Sequence, residues 1–452
     1  MTDLVVAGGT VVTPGGRRRA DLSVRGGCIE RIGTDLPHDG AAIIDASGLL
    51  VLPGVVDVHT HVRLSDAEHP DRFERDLRAA AHGGTTTVLT FNNPGTGISE
   101  DGSGSLLRGL DEFRERTAGR ASIDFGLCAV VSAQQPDALD ELPELIRRGV
   151  PTFKAFMVYD FAVGEDDLPR LMTTAARHGG MLMLHCEDPA TIDPLVAGAL
   201  RRGEVGPRHH ARTRPVEAEA RATRRAIELA RRAEAPLYIV HLSCEAALEA
   251  VAEAKQRGEP IHAETCPQYL SLTDALYDDP DEAEVMKRVI SPPLRTRTDV
   301  DALWAGLRDG TLEVVASDHV PDRIDTEKRL PAPPFPQISN GAPGIETLLS
   351  VVYSEGVVGS RIGLERMVEV LSSSPARLFG LGSKGSLEPG KDADIVLWDP
   401  EAQRTIRQAD LHHSSDFTPY EGMAVRGAPR DVLVRGRPIG PAVGRFLERR
   451  LS

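Results

Sequence analysis

The chain has 452 residues, 41% of them apolar and 26% charged, enough for a substantial core beneath an ordinary polar surface. A net charge of −15 excludes the concentrated Lys/Arg of a nucleic-acid footprint. Five scattered cysteines without a CxxC pair exclude a disulfide framework and a thiolate zinc site. Neither a signal peptide nor a run of membrane-spanning length is seen, and the expectation is a cytoplasmic protein with no membrane partner.

Residues 1–52 read as short strands and turns, in "DLVVAGGTVVTPGG", "ADLSVRGGCIERIG" and "AAIIDASG". The same texture returns within 381–452, in "LEPGKDADIVLWDP" and "RGAPRDVLVRGRPIG", so the two chain ends are expected to build one small β-sandwich, with a tail. Between them, residues 53–380 carry eight apolar, β-branched runs: "GVVDVHTH", "TTTVLTF", "IDFGLCAVV", "PTFKAFMV", "GMLMLHCE", "LYIVHLSC", "PIHAETCP" and "LEVVASDH". Most gaps hold a helical stretch such as "RFERDLRAAAHGG" or "CEAALEAVAEAKQRG", closed by Gly or Pro. Strands alternating with helices predict an α/β fold, a (β/α)₈ barrel of parallel strands. The alternative, a doubly wound open sheet, lacks a G-x-G-x-x-G after an early strand. The stretch "RLPAPPFPQISNGAPG" after the eighth strand is expected to lie as a long loop over the barrel mouth.

Active sites of such barrels lie at the C-terminal ends of the strands. There the first strand brings His59 and His61, two residues apart and so on one side of it. The fourth strand carries Lys154, the fifth ends in His185, the sixth in His241 and the eighth in Asp318. Each alone has a bland explanation, a hydrogen-bonded histidine or a helix N-cap. Four imidazoles and a carboxylate on one rim form a set suited to zinc and similar divalent ions. His209, His210, His412 and His413 lie elsewhere, in "RHHARTRP" and a late loop, and read as surface or loop residues.

Lys154 stands out because the chain otherwise favours arginine: it has only six lysines. An ammonium in the apolar run "TFKAFM" is costly unless paired, and a buried salt bridge is the plain reading. Lysine, unlike arginine, can lose its proton on burial and act as a neutral nucleophile. Beside two cations it could capture CO₂ as a carbamate whose two oxygens bridge both, completing a two-metal site.

The ordered set "PGVVDVHTH", "AAAHGGTTTV", "FKAFMVY", "HCE", "YIVHLSC", "HAETCPQYL", "SPPLR", "SDH", "NGAPGIE", "SPARLFGL" and "PYEGMAVRGAP" resembles the cyclic amidohydrolases, in the hydantoinase/dihydropyrimidinase branch. The resemblance spans nearly the whole chain. It implies His59 and His61 on one metal ion, His185 and His241 on another, carboxylated Lys154 bridging them, and Asp318 completing the coordination of the first ion and shuttling protons. It implies two divalent ions, zinc foremost, and Tyr159 polarising the substrate carbonyl. Ser291 and Asn340 would hold a cyclic amide through their backbone groups. The implied activity is hydrolysis of the ring C–N bond of a hydantoin, dihydropyrimidine or related cyclic ureide or imide, by a homotetramer or dimer.

One corner departs from that branch. Arg63, in "HTHVR", and Asn93, in "TFNNPG", match the dihydroorotase pattern, in which they bind a ring carboxylate. Two readings stay open: a substrate carrying an anionic group, or Arg63 paired with a loop acid such as Asp66 or Glu68. Against a dihydroorotase, "SPPLR" has Ser where that branch has Asn, and Lys154 in "FKAFM" matches the hydantoinase side. Allantoinase is a further alternative. Non-catalytic scaffold relatives that have lost metal ligands are disfavoured, since all six ligand positions are intact here.

Overall fold

A computed structural model of the chain describes residues 2–37, 40–91, 104–135, 137–329 and 333–451. Among the described residues five strands open it, two long and three short: β1 (Leu4–Thr13), β2 (Gly16–Arg25), β3 (Cys28–Gly33), β4 (Ala42–Asp45) and β5 (Leu50–Pro53). Eight strands follow in the barrel: β6 (Val55–Thr60), β7 (Thr85–Phe91), β8 (Asp124–Val130), β9 (Thr152–Phe156), β10 (Met181–His185), β11 (Leu237–Ile239), β12 (Ile261–Thr265) and β13 (Val314–Val315). Late in the chain come β14 (Ile395–Thr405), β15 (Ala424–Val434) and β16 (Arg437–Pro438).

β6 to β13 pair in sequence order, and every ladder between them is parallel. The eight apolar runs read from the sequence are these eight strands, and the open doubly wound sheet is ruled out. Closure comes from a parallel bridge between Thr60 and His319 and from the Ser317 amide donating to Asp57 Oδ1 at 3.0 Å. The strands are apolar on both faces because helices cover the outside and side chains fill the inside, as buried parallel sheets require. The helix Arg72–His82 illustrates the outer layer: Phe73, Leu77, Ala80 and Ala81 face the core at helical spacing.

The remaining strands form one mixed sheet, ordered β16-β15-β14-β5-β1-β2-β3, with β4 against the first half of β1. β5 is the seam. It runs parallel to β1 and antiparallel to β14, so chain segments more than 340 residues apart share a ladder. Leu22, Ile29, Val51, Ile395 and Leu433 come from distant strands of this sheet yet pack in one core, so the sheet wraps around itself as a sandwich does. In the stretch after β13, Phe335 and Ile338 pack on Ala199, Met286 and Val289; residues 330–332 lie outside the described ones.

Candidate metal and substrate site

The C-terminal ends of β6, β9, β10 and β11 and the turn after β13 bring the expected residues together. Lys154 Nζ lies 3.4 Å from His59 Nε2, a contact between non-neighbouring strands that only the barrel interior allows. Asp318 Oδ1 is 3.1 Å from His59 Nε2 and 3.4 Å from His61 Nε2, and the three side chains form a group able to hold a metal ion. His185 Nδ1 faces His241 Nε2 at 2.9 Å, and the His59 and His241 rings are 5.4 Å apart. His59, Lys154, His185 and His241 are buried, whereas His61 and Asp318 keep some exposure toward the opening.

Two glutamates orient these rings. Glu187 accepts from His185 Nε2 at 2.7 Å, and its carboxyl sits at about 2: burial would raise it, but Arg214 and His185 outweigh burial. A carboxylate only accepts, so the proton is on Nε2 and the Nδ1 lone pair faces His241. Glu264 accepts from His59 Nδ1, from the Tyr238 hydroxyl at 2.8 Å and from the His241 amide at 3.2 Å. One carboxylate of β12 thus holds a ring from β6 and the backbone at the end of β11. Carboxylates behind imidazoles are the usual outer support of metal-binding histidines.

Burial lowers both His185 and His241, keeping the imidazoles neutral. His241 Nδ1 has no partner among the described residues. His185 and His241 with facing ring nitrogens, the His59–His61–Asp318 group with its aspartate ionised, and two orienting carboxylates form a donor set that fits divalent cations. Burial would raise the Asp318 carboxyl too, but His59, His61 and His241 hold it well below the usual carboxylate range. Lys154 lies over the Phe91 and Phe156 rings, and burial pushes its ammonium down to about 8 against the opposing pull of Asp318 and Glu264.

Three site positions have left-handed backbones without being glycine: Tyr159 (φ 82°), His241 (φ 39°) and Asp318 (φ 50°). Such strain is held only where surroundings over-determine it, and here it turns the chain out of the strand direction at the rim. Tyr159 lies against the Ser291 and Asn340 side chains and beneath the Arg214 guanidinium, 5.2 Å from its ring. Burial raises the Tyr159 phenol, which stays protonated. The structure therefore gathers Tyr159, Ser291 and Asn340 beside the histidine cluster.

Other expectations fare differently. Asn93 lies outside the described residues. Arg63 pairs with neither Asp66 nor Glu68: its guanidinium contacts Glu327 and lies 2.6 Å from Asp322, while Asp66 caps its own turn through the Glu68 and His69 amides. His210 and His413 are not surface residues but buried ones. His210 Nε2 bonds the Ile290 carbonyl at 3.0 Å and Ser291 Oγ at 3.1 Å, and the His413 ring packs 6.1 Å from that of His319. His209 and His412 keep partial exposure. The sequence reading missed Glu187, Glu264 and Arg214. The acid two residues beyond His185 in "HCE" and the acid inside the strand "IHAET" were the available signals.

The barrel and its rim of imidazoles define a metal-dependent hydrolase class. The sequence pattern of the Amidohydrolase family matches residues 50–439. D-hydantoinase of Streptomyces coelicolor is 40% identical over 445 residues, covering 96% of this chain and 94% of that protein. D-phenylhydantoinase of Escherichia coli O1:K1 / APEC is 38% identical, covering 99% of this chain and 98% of that protein. The crystal structure of dihydropyrimidinase from Brevibacillus agri NCHU1002 superposes with a TM-score of 0.93 at 37% identity, covering all of both chains. The chain belongs to the amidohydrolase family, in its hydantoinase/dihydropyrimidinase branch.

Proposed function

We propose that this protein opens a cyclic amide by hydrolysing its ring C–N bond, with a hydantoin, dihydropyrimidine or related cyclic ureide or imide as substrate. The observation that carries this is the meeting of the His59–His61–Asp318 and His185–His241 groups around Lys154, beside Tyr159, Ser291 and Asn340. His59, His61 and Asp318 would hold one divalent ion, His185 and His241 the other, with Lys154 as its carbamate shared between them. Zinc is the expected metal. Bound there, two ions lower the pKa of water and polarise a carbonyl.

The protein's own groups supply the rest. A neutral Lys154 amine adds to CO₂ and loses one proton, replacing a buried cation with an anion; its depressed pKa favours the reactive form. Asp318, kept ionised by its imidazole neighbours, takes the proton of the attacking water and delivers it to the leaving ring nitrogen. Tyr159, kept protonated by burial, donates to the oxygen that gains charge as the carbonyl is attacked. Ser291 and Asn340 hold the ring amide in register.

Arg63 does not favour a charged substrate. Two protein carboxylates already face its guanidinium, and Arg72 shares Glu327 at 2.6 Å. A substrate anion would have to displace one of them. The same reading takes residues 1–52 and 381–452 as a supporting sandwich and 53–380 as the catalytic barrel. It takes the protein as a cytoplasmic homotetramer or dimer, checked by sedimentation and fractionation. Among the described residues no helix is long and apolar enough to cross a membrane.

The test is a panel of hydantoin, dihydrouracil, allantoin, dihydroorotate and 5-carboxymethylhydantoin with metal-loaded protein, with metal content measured by elemental analysis. Ring opening of the uncharged rings with about two ions per chain is expected. No turnover of any ring, or full activity with less than one ion, overturns the proposal.

A further inference from the structure

The segment Arg288–Pro292 carries Ser291, and its carbonyls are taken up almost one by one by side chains from separate parts of the chain. The Tyr277 hydroxyl donates to the Arg288 carbonyl at 3.0 Å, and Lys328 Nζ donates to that of Val289 at 2.8 Å. His210 Nε2 donates to the Ile290 carbonyl at 3.0 Å, and the Tyr269 hydroxyl to that of Pro292 at 2.7 Å. Of these five carbonyls, only that of Ser291 has no such side-chain donor among the described residues.

Lys328 does more than hold one loop. Its Nζ also donates to the Ser339 carbonyl at 2.7 Å, one residue before Asn340. A single fully buried ammonium thus ties together the two loops that carry Ser291 and Asn340. Its nearest carboxylate oxygen among the described residues, Asp322 Oδ2, is 4.0 Å away, and the other oxygen of Asp322 bonds Arg63 at 2.6 Å. Burying a cation without a close ion pair is unfavourable, so its place is explained by what its protons hold.

From these contacts we infer that Lys328 and His210 are positioning residues for ring binding, resting on the cyclic-amide reading above. They fix the peptide planes on either side of Ser291 and ahead of Asn340, leaving the Ser291 carbonyl open to a ring N–H. Neither residue touches the reacting atoms. Lys328 acts through the backbone it holds, and His210 through the Ile290 carbonyl and its 3.1 Å contact with Ser291 Oγ, so their loss falls on binding and orientation of the ring.

The experiment measures kcat and KM for hydantoin, with metal content and melting temperature, in the full metal-loaded chain. Lys328→Met and His210→Leu are expected to raise KM about 10–100-fold, with metal content kept and a smaller change in kcat, the scale of one lost hydrogen bond to a charged or buried group. His210→Gln keeps a donor near the position of Nε2 and is expected to return KM to within about 3-fold of the parent. Unchanged KM in both deletion variants overturns the inference. So does a loss of metal, melting temperature and kcat together at constant KM, or a failure of His210→Gln to differ from His210→Leu. If Lys328→Met does not fold, the His210 pair decides. A parent chain that opens no cyclic amide refutes the proposed function instead, so the two failures are distinguishable.

Discussion

Glu187 and Glu264 each take the N–H of a rim imidazole, and neither His185 nor His59 can turn without taking one hydrogen bond away from a buried carboxylate. Glu187→Gln or Glu264→Gln is therefore expected to weaken metal retention about 10–100-fold, read by dialysis against a graded chelator, with circular dichroism unchanged. Lys154→Ala is expected to lower activity by about 10³ or more, with partial recovery on adding a short carboxylic acid that supplies the missing oxygens. No recovery and an unchanged metal count would leave the carbamate without support. Arg63→Met is expected to reduce thermal stability while leaving the ratio of turnover between charged and uncharged rings unchanged. A selective loss of dihydroorotate turnover would restore the anion pocket.

Lys328 offers a pH test with a definite sign. Burial sets its ammonium at about 8, below the 10.5 of a free lysine, with Asp322 opposing. Between those values the unfolded chain binds more protons than the folded one, so stability rises with pH across that window. The urea midpoint of the parent relative to Lys328→Met is expected to increase from pH 8 to 10.5, by the equivalent of about 2–3 kcal/mol. At this scale the sequence showed which residues could ligate, because histidine at a strand end carries its own signal. It did not show Glu264 or His210, whose partners lie on other strands and loops, 205 and 80 residues away.

At the level of elements, the link between β5 and β6 is a tight joint. A Cβ on Gly54 would stand 2.0 Å from Thr86 Oγ1 at the start of β7, so the glycine lets the sandwich seam and the first barrel strand approach β7 closely. Gly54→Ala is expected to cost about 1–3 kcal/mol in urea unfolding, the range for overpacking. Thr86→Ala in the same chain should return part of it, a coupling of the kind that contacting residues show. The barrel strands were legible because buried parallel strands are continuous apolar runs bounded by turns. The pairing of β5 with β14 was not, since no local pattern says which distant strand completes a ladder; the shared texture of the two ends pointed only to a common domain.

Across the whole molecule, the N-terminal floor of the barrel is held by charge as well as packing. Lys384 Nζ meets Asp124 of β8, Asp392 at 2.9 Å and Asp394 at 2.8 Å, and Arg435 adds a second cation on Asp124. Lys384→Met would leave buried carboxylates short of a partner, and a loss of about 3–5 kcal/mol is expected from denaturant melts. The raised Lys384 pKa, in which its three aspartates outweigh burial, gives the sign at alkaline pH. Its stabilisation is complete below the pKa of a free lysine and is lost as pH climbs through the higher folded value.

The same floor is finished by the tail. Leu447 donates its amide to the Phe125 carbonyl at 2.7 Å, and buried Arg449 reaches the Leu127 carbonyl at 2.6 Å and Thr152 Oγ1 at 2.9 Å. The consequence belongs to biosynthesis. When residue 380 has been added, the nascent chain holds all eight barrel strands over an unsealed base, and β14, β15 and β16 do not yet exist. At about 5–20 residues per second, that half-built state lasts roughly 4–14 seconds before the stopper arrives. Hydrophobic collapse is thousands of times faster. A half-built barrel of this kind, with its floor uncovered and Asp124 still without Lys384 and Arg435, is the state most open to association with neighbouring chains.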